Sequence, residues 1–150
     1  MGLTPPQLPA DDRDGWLQWL LVELVEPHLG RDCPTMLYEY PASQAGLARV
    51  RAGDQLVAER FELYLHGIEL ANGYHELTDA DELRSRCRSA NQRRQAAGKP
   101  ALPEETRLLA AMRCGLPDCT GVALGFDRLV MLATGARALA DVMTFPIDRA

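Results

Sequence analysis

Glu62 and Glu69 lie on either side of a His66-Gly67 pair that is typical of a tight turn between two strands. With those two residues as the turn, Glu62 faces Ala71, and the two glutamates share one sheet face as diagonal neighbours, about 7–8 Å apart at the backbone. Like charges that close repel unless a cation lies between them, and hard oxygen donors suit Mg²⁺. Two hypotheses follow: a magnesium site shared with nucleotide phosphates, or a solvated face whose glutamates point to water. A one-residue change in register would place one glutamate on the opposite face.

A second group of chemically useful side chains follows the turn, namely Asn72, Tyr74 and Glu76. They offer an amide, an aromatic ring and a carboxylate. Such a set can hold a cationic side chain, because the carboxylate pairs with an ammonium group while the ring packs on its methylene groups. The alternative is a polar strand end that precedes a helix.

The segment 121–132 joins a buried strand to a helix and contains Gly125 and Arg128. Gly125 lacks a Cβ and would let a flat ligand approach the backbone. Arg128 lies in the first helical turn, where it could stack on a purine or contact a phosphate. The alternative is a surface arginine paired with Asp127 or Asp141.

Residue periodicity predicts the elements that must position these groups. Helices are predicted at about 16–25, 78–97, 103–114 and 126–134, and strands at 35–40, 56–66, 68–77, 122–124 and 141–145. The fold class is therefore α+β, with an antiparallel sheet of about four to six strands and helices against it. Residues 1–11 are predicted to be a flexible leader, and 12–150 a single domain.

Composition excludes several classes of function. The 16 basic and 21 acidic residues give a net charge of −5, which argues against extensive contact with nucleic acid. The four cysteines lack the spacing of a zinc site, so free thiols are expected. No apolar run approaches the roughly 20 residues of a membrane span, and the N-terminus does not resemble a signal peptide. A cytoplasmic protein is expected.

Three segments resemble those of one family, the lysyl-type class II aminoacyl-tRNA synthetases. FELYLHGIELANGYHELTD (61–79) is similar to the segment that carries the metal-binding glutamates and the lysine pocket of that family. GVALGFDRLVML (121–132) resembles the third class II signature motif, and DVMTFPIDRA (141–150) resembles the end of the catalytic core.

Within the family, the likeness runs from about Asp11 to Ala150 and is greatest to the short paralogues that lysylate translation elongation factor P. It rests on PASQAGLARV (41–50), GIELANGYHELTD (67–79) and GLPDCTGVALGFDRLVMLATGA (115–136). Ala123 stands where lysyl-tRNA synthetases usually have Gly, which also favours the paralogue.

The resemblance implies a role for each candidate residue. Glu62 and Glu69 would hold Mg²⁺ and ATP. The adenine would lie near the backbone of Leu63, and Gly125 and Arg128 would form the nucleotide wall. The amino group of lysine or β-lysine would face Glu69, and its side chain would occupy a pocket lined by Asn72, Tyr74 and Glu76. The implied chemistry is an aminoacyl-adenylate, formed from ATP and then transferred to an amine or hydroxyl.

One departure from the family limits this expectation. The first two class II motifs should lie upstream, and these 150 residues have no room for them or for an anticodon-binding domain. A fragment, a truncated gene product and a paralogue that no longer catalyses all remain open. Lysyl-tRNA aminoacylation and a non-catalytic nucleotide- or protein-binding module are the alternative functions. Self-association into a homodimer through an exposed sheet edge is a further expectation.

Overall fold

The computed structural model describes residues 4–51, 53 and 56–147 of the chain. An antiparallel five-stranded sheet is its centre, in the order β1-β3-β4-β5, and β2 pairs with the start of β3 on the edge opposite β1. The strands are β1 Thr35–Pro41, β2 Val50–Arg51, β3 Val57–Leu65, β4 Ile68–His75 and β5 Thr120–Leu124. The helices are α1 Arg13–Leu20, α2 Ala80–Ala96, α3 Arg107–Arg113 and α4 Phe126–Thr134. The predicted α+β class is confirmed.

The β3–β4 hairpin has the predicted two-residue turn, with both His66 and Gly67 at positive φ. Its register differs from the prediction after Glu69, because Leu70 is an extra residue that forms a β-bulge. Glu62 therefore lies opposite Asn72, and its predicted pairing with Ala71 is wrong.

Side-chain caps set the first residues of the helices, and some helices begin at residues other than the predicted ones. Asp12 caps α1 by accepting from the Gly15 amide at 3.0 Å. Thr106 caps α3 by accepting from the Leu109 amide at 3.2 Å, so this helix begins later than the predicted start near residue 103. After α1, the chain continues as a π-helical turn at Leu21–Val25 and a 3-10 turn at Glu26–His28.

The predicted closing strand at 141–145 is wrong. Leu139–Asp141 is a 3-10 turn, and residues 142–147 form no strand. The Asp141 carboxylate accepts from the Ala138 amide at 3.2 Å, and the Val142 amide donates to the Leu139 carbonyl at 3.0 Å. These local bonds satisfy backbone groups that a strand would have directed at a partner.

The core consists of two apolar clusters. One contains Tyr40, Ala45, Ala48 and Ala58, and the other contains Leu77, Leu83, Leu109 and Met112. All four cysteines are free, as predicted. Within the described ranges, no helix has the length and apolar character required to cross a membrane. Residues 1–3 of the predicted leader and 148–150 of the predicted core end lie outside the described part of the chain.

Candidate functional site

Glu62 lies in the middle of β3 and is buried, with 7% of its surface exposed. Its Oε1 accepts from Arg60, with which it forms an ion pair, and from Asn72 Nδ2 at 3.1 Å. Its Oε2 accepts from the Tyr64 hydroxyl at 2.5 Å. The interpretation in which this glutamate points to water is therefore wrong, since protein donors surround its carboxylate.

Two tyrosines complete the surroundings of this carboxylate. The Arg60 guanidinium lies over the Tyr40 ring at 4.4 Å and within 5.9 Å of the Tyr74 ring. Burial, followed by the hydrogen bond to Glu62, raises the pKa of the Tyr64 hydroxyl. Burial and the nearby Glu62 charge also raise the pKa of the Tyr40 hydroxyl, which has no hydrogen-bond partner among the described residues. Both hydroxyls therefore stay protonated and can donate.

Glu69 meets Arg128 at the end of the hairpin. Tyr64 lies opposite Glu69 and donates to Glu62, so the two glutamates share one sheet face. Arg128 Nη1 donates to the Glu69 carbonyl at 2.7 Å and is 3.4 Å from Glu69 Oε2. The pairing of Arg128 is thus with Glu69, and neither Asp127 nor Asp141 is its partner.

The Leu70 bulge explains how the two segments meet. The Leu70 carbonyl accepts from the Gly125 amide at 2.8 Å, and α4 begins at the next residue. This bond sets the first turn of α4, which carries Arg128, beside the end of β4. The side chain of Leu63 lies on the opposite sheet face from Glu62, as the alternation of β3 requires.

Asn72, Tyr74 and Glu76 line one cavity of about 530 Å³ over the paired strands β4 and β5, and its other lining residues are Leu47, Gly121, Val122 and Ala123. A Cβ at Gly121 would overlap Oε1 of Glu76, so glycine is required for the observed position of that carboxylate. A larger cleft of about 670 Å³ lies between the 42–50 segment and α2 and contains none of the predicted site residues.

The amide of Asn72 has a defined orientation. Its Nδ2 donates to Glu62, which leaves Oδ1 as the group available to accept. Oδ1 is buried and has no hydrogen-bond partner among the described residues. Buried acceptors are normally satisfied, so this oxygen is suited to a donor supplied by a ligand.

The donor set near the hairpin fits Mg²⁺. The Glu69 side chain is 36% exposed. Among the described residues, its Oε1 has no hydrogen-bond partner and Glu62 Oε2 has one donor, the Tyr64 hydroxyl. Hard carboxylate oxygens on one face suit this ion, which commonly takes its other ligands from water and substrate phosphates. Within the described ranges, no group of three or more His, Cys, Asp or Glu side chains could hold a metal by itself.

Sequence reasoning missed the residues that support Glu62, which are Arg60, Tyr64 and Tyr40. The period-two pattern of β3 contained a usable signal, because Arg60, Glu62 and Tyr64 alternate and must share a face. Tyr40 had no such signal, since it reaches the site from β1 through long-range pairing.

Comparison with known proteins adds independent information. The family described as tRNA synthetases class II (D, K and N) matches residues 22–149 of this chain. Class II synthetases use ATP and Mg²⁺.

The chain is also similar to curated relatives. An elongation factor P–(R)-β-lysine ligase from Salmonella gallinarum is 58% identical over 140 residues, which are 93% of this chain and 43% of that protein. The ligases of the same name from Salmonella dublin and Salmonella arizonae are 57% and 56% identical, with the same coverage. The chain therefore spans less than half the length of these relatives.

Proposed function

Because the chain belongs to the class II tRNA synthetase family (D, K and N), we propose that it forms part of a site that activates a lysine-like amino acid with ATP. The names of the curated relatives specify (R)-β-lysine and elongation factor P, and we propose the same substrates for this chain. The substrate carboxylate would attack the α-phosphate of ATP, which gives an aminoacyl-adenylate and pyrophosphate. A protein amine would then accept the acyl group.

The observation that carries the proposal is the set of side chains that line the cavity over β4 and β5. Glu76 supplies a carboxylate for an ammonium group, and Tyr74 supplies a ring for the methylene chain. The buried Oδ1 of Asn72 has no hydrogen-bond partner among the described residues and can accept a further N–H from the ligand. A polar strand end that only precedes a helix would not require a buried, unsatisfied acceptor beside a carboxylate.

The nucleotide would lie beside this cavity, at the Glu69–Arg128 contact. Arg128 supplies the positive charge for phosphate, and Gly125 lets the base approach the backbone near Leu63. Mg²⁺, when bound by Glu69 and Glu62, would neutralise phosphate charge. The contribution of the protein to the reaction would be to position the reactants and to complement developing charge.

The surfaces around the site indicate that these 150 residues carry only part of it. Among the described strands, β5 pairs only with β4, and Val122 and Leu124 on β5 are 63% and 51% exposed. Unpaired strand edges and large apolar side chains are normally covered. Because the chain spans 43% of its relatives, we assign this cover to their remaining residues. Self-association through the same edge stays a prediction.

Ligand binding tests the pocket directly. We expect (R)-β-lysine to bind the 150-residue chain weakly in calorimetry or NMR titration, and Glu76→Gln to weaken binding about 10- to 100-fold, as for loss of a charged hydrogen bond. Glu69→Ala should abolish binding of ATP with Mg²⁺. Glu104→Gln is the matched control, since Glu104 lies on the segment before α3 and pairs there with Arg88 of α2. Equal binding by the Glu76 and Glu104 variants would contradict the assignment.

Pyrophosphate exchange tests the reaction. The 150 residues alone should show little or no exchange with ATP and (R)-β-lysine. Exchange should appear when the remaining portion of the Salmonella gallinarum ligase is added as a separate polypeptide, and Glu76→Gln should abolish it. Robust exchange by the chain alone would show that the active site is complete without that portion.

A further inference from the structure

Behind the proposed pocket lies a charged cluster for which the proposed chemistry has no role. His75 Nδ1 is 2.6 Å from Glu59 Oε2, and His75 Nε2 is 2.8 Å from Asp118 Oδ1. The same Asp118 oxygen accepts from Arg49 Nη2 at 2.8 Å. The cluster thus joins β3, β4, the segment before β5 and the segment before β2.

The geometry determines the charge state of the ring. Both ring nitrogens face carboxylate oxygens, which only accept hydrogen bonds. A neutral imidazole would direct one lone pair at a carboxylate, whereas an imidazolium donates to both. His75 is therefore a cation that bridges two anions, with a side chain that is 28% exposed.

The backbone around His75 connects this cluster to the pocket walls. The Glu76 amide donates to the Cys119 carbonyl at 2.9 Å, and the Arg49 amide donates to the His75 carbonyl at 2.8 Å. Two residues before Arg49 is Leu47, and two residues after Cys119 is Gly121, and both line the cavity. The cluster thus lies on the reverse side of the sheet from Glu76 and holds both flanking segments.

We propose that His75 is a positioning residue, whose imidazolium donates to Glu59 and to Asp118. These bonds fix the separation of the two pocket walls, which are the flanking segments 47–49 and 119–121. This inference rests on the proposed function for its ligand, because the pocket is the one assigned to (R)-β-lysine. The positioning effect on the backbone needs no ligand and can be measured separately.

The arrangement makes the pocket walls sensitive to pH. The hydrogen bonds that His75 donates to Asp118 and then to Glu59 raise its pKa above the ordinary 6.5, while desolvation and then the charge of Arg49 oppose the shift. The stabilisation that protonated His75 gives to the cluster is complete below pH 6.5 and is lost as pH rises through the pKa of His75 in the folded chain. The hydrogen bond from His75 lowers the pKa of Asp118 below its ordinary 3.8. The stabilisation that ionised Asp118 gives to the cluster is therefore present above pH 3.8 and is lost as pH falls through the lowered pKa. The cluster is therefore complete between those pH values.

NMR on the ¹⁵N-labelled 150-residue chain tests the proposal. We expect the pKa of His75 to lie above its ordinary 6.5, with both ring nitrogens protonated at pH 6. Amide exchange of Glu76 should accelerate beyond the intrinsic rate change as His75 loses its proton. In His75→Gln, that excess dependence on pH should disappear, and (R)-β-lysine should bind about fivefold more weakly at pH 6, the size expected for one partly exposed ion pair. His66→Gln is the matched control.

Asp118→Asn provides a second variant, which removes the negative charge at this position and keeps the imidazole. It should lower the pKa of His75 and shift the Glu76 exchange profile to lower pH. The proposal is overturned if the pKa of His75 is 6.5 or lower, or if both variants keep the wild-type exchange profile. If the exchange profile follows the titration of His75 while neither the wild-type chain nor any variant binds (R)-β-lysine, the positioning role stands and the proposed function fails. If all variants bind (R)-β-lysine equally at every pH, the positioning role fails and the function stands.

Discussion

Replacing Arg60 by Met tests how the buried carboxylate of Glu62 is stabilised. The side chains of this ion pair are 19% and 9% exposed, so water compensates little for the loss of the cation. Removing one partner of a buried pair costs about 3–5 kcal/mol, because the remaining charge is left uncompensated. Arg60 also donates to the Gln44 carbonyl at 3.0 Å and would lose that bond.

One feature reduces the expected cost. The Nε of Arg60 is buried without a hydrogen-bond partner among the described residues, and Met would remove this unsatisfied donor. We therefore expect the lower end of the range, about 3 kcal/mol, against a total stability of about 5–15 kcal/mol. With a urea dependence of about 2 kcal/mol per M, the unfolding midpoint should fall by about 1.5 M.

Urea unfolding followed by circular dichroism and by the fluorescence of Trp16 and Trp19 would measure this loss. Arg60→Met combined with Glu62→Gln should recover most of the stability, because a neutral amide needs no cation. Arg88→Met is the matched control, since its pair with Glu104 is exposed and should contribute less than about 1 kcal/mol. If the losses of the Arg60 and Glu62 variants add in the double variant, the two side chains are not coupled and the reasoning is refuted.

Two further predictions concern stability. In Gly73→Ala, the new Cβ would overlap the Phe61 ring and lie 3.0 Å from the Gly121 carbonyl, so a loss of about 1–3 kcal/mol is expected in thermal unfolding. Asp79→Ala removes the cap that accepts from the Asp81 and Glu82 amides at 2.8 and 3.1 Å, which should cost about 1 kcal/mol. Asp81→Ala removes a first-turn charge without removing the cap; equal losses in these two variants would show that the charge, and not the cap, is responsible.

Local sequence signals predicted the elements with strong periodicity or a distinct turn. The alternation in β3 and the His66-Gly67 pair were sufficient for the hairpin, and the Gly135 stop was sufficient for the end of α4. The bulge at Leu70 was not predictable in this way, because it depends on how β4 pairs with β3 and with the start of α4. The predicted strand at 141–145 failed for the same reason, since a strand requires a partner that a local pattern does not specify.

Polarity along β3 does not identify the more buried face of this strand. Phe61 and Leu63 look like core residues, yet they are only half-buried, whereas Glu62 and Tyr64 on the other face are 7% and 1% exposed. The cause is the ion pair with Arg60, which makes burial of a carboxylate possible. Such pairing is a tertiary property, and hydropathy along one strand does not contain it.

The two glutamates that the sequence presented as equivalent differ in electrostatic state. Glu62 is neutralised by Arg60 and hydrogen-bonded by Asn72 and Tyr64, so its burial is explained without any bound cation. Glu69 is more exposed, and among the described residues its carboxylate has only a 3.4 Å contact with Arg128. An added divalent cation would therefore gain more from Glu69 than from Glu62, whose charge is already compensated. We therefore propose that Glu62 contributes mainly by fixing Asn72 beside the candidate pocket, while affinity for a metal and a nucleotide depends mainly on Glu69.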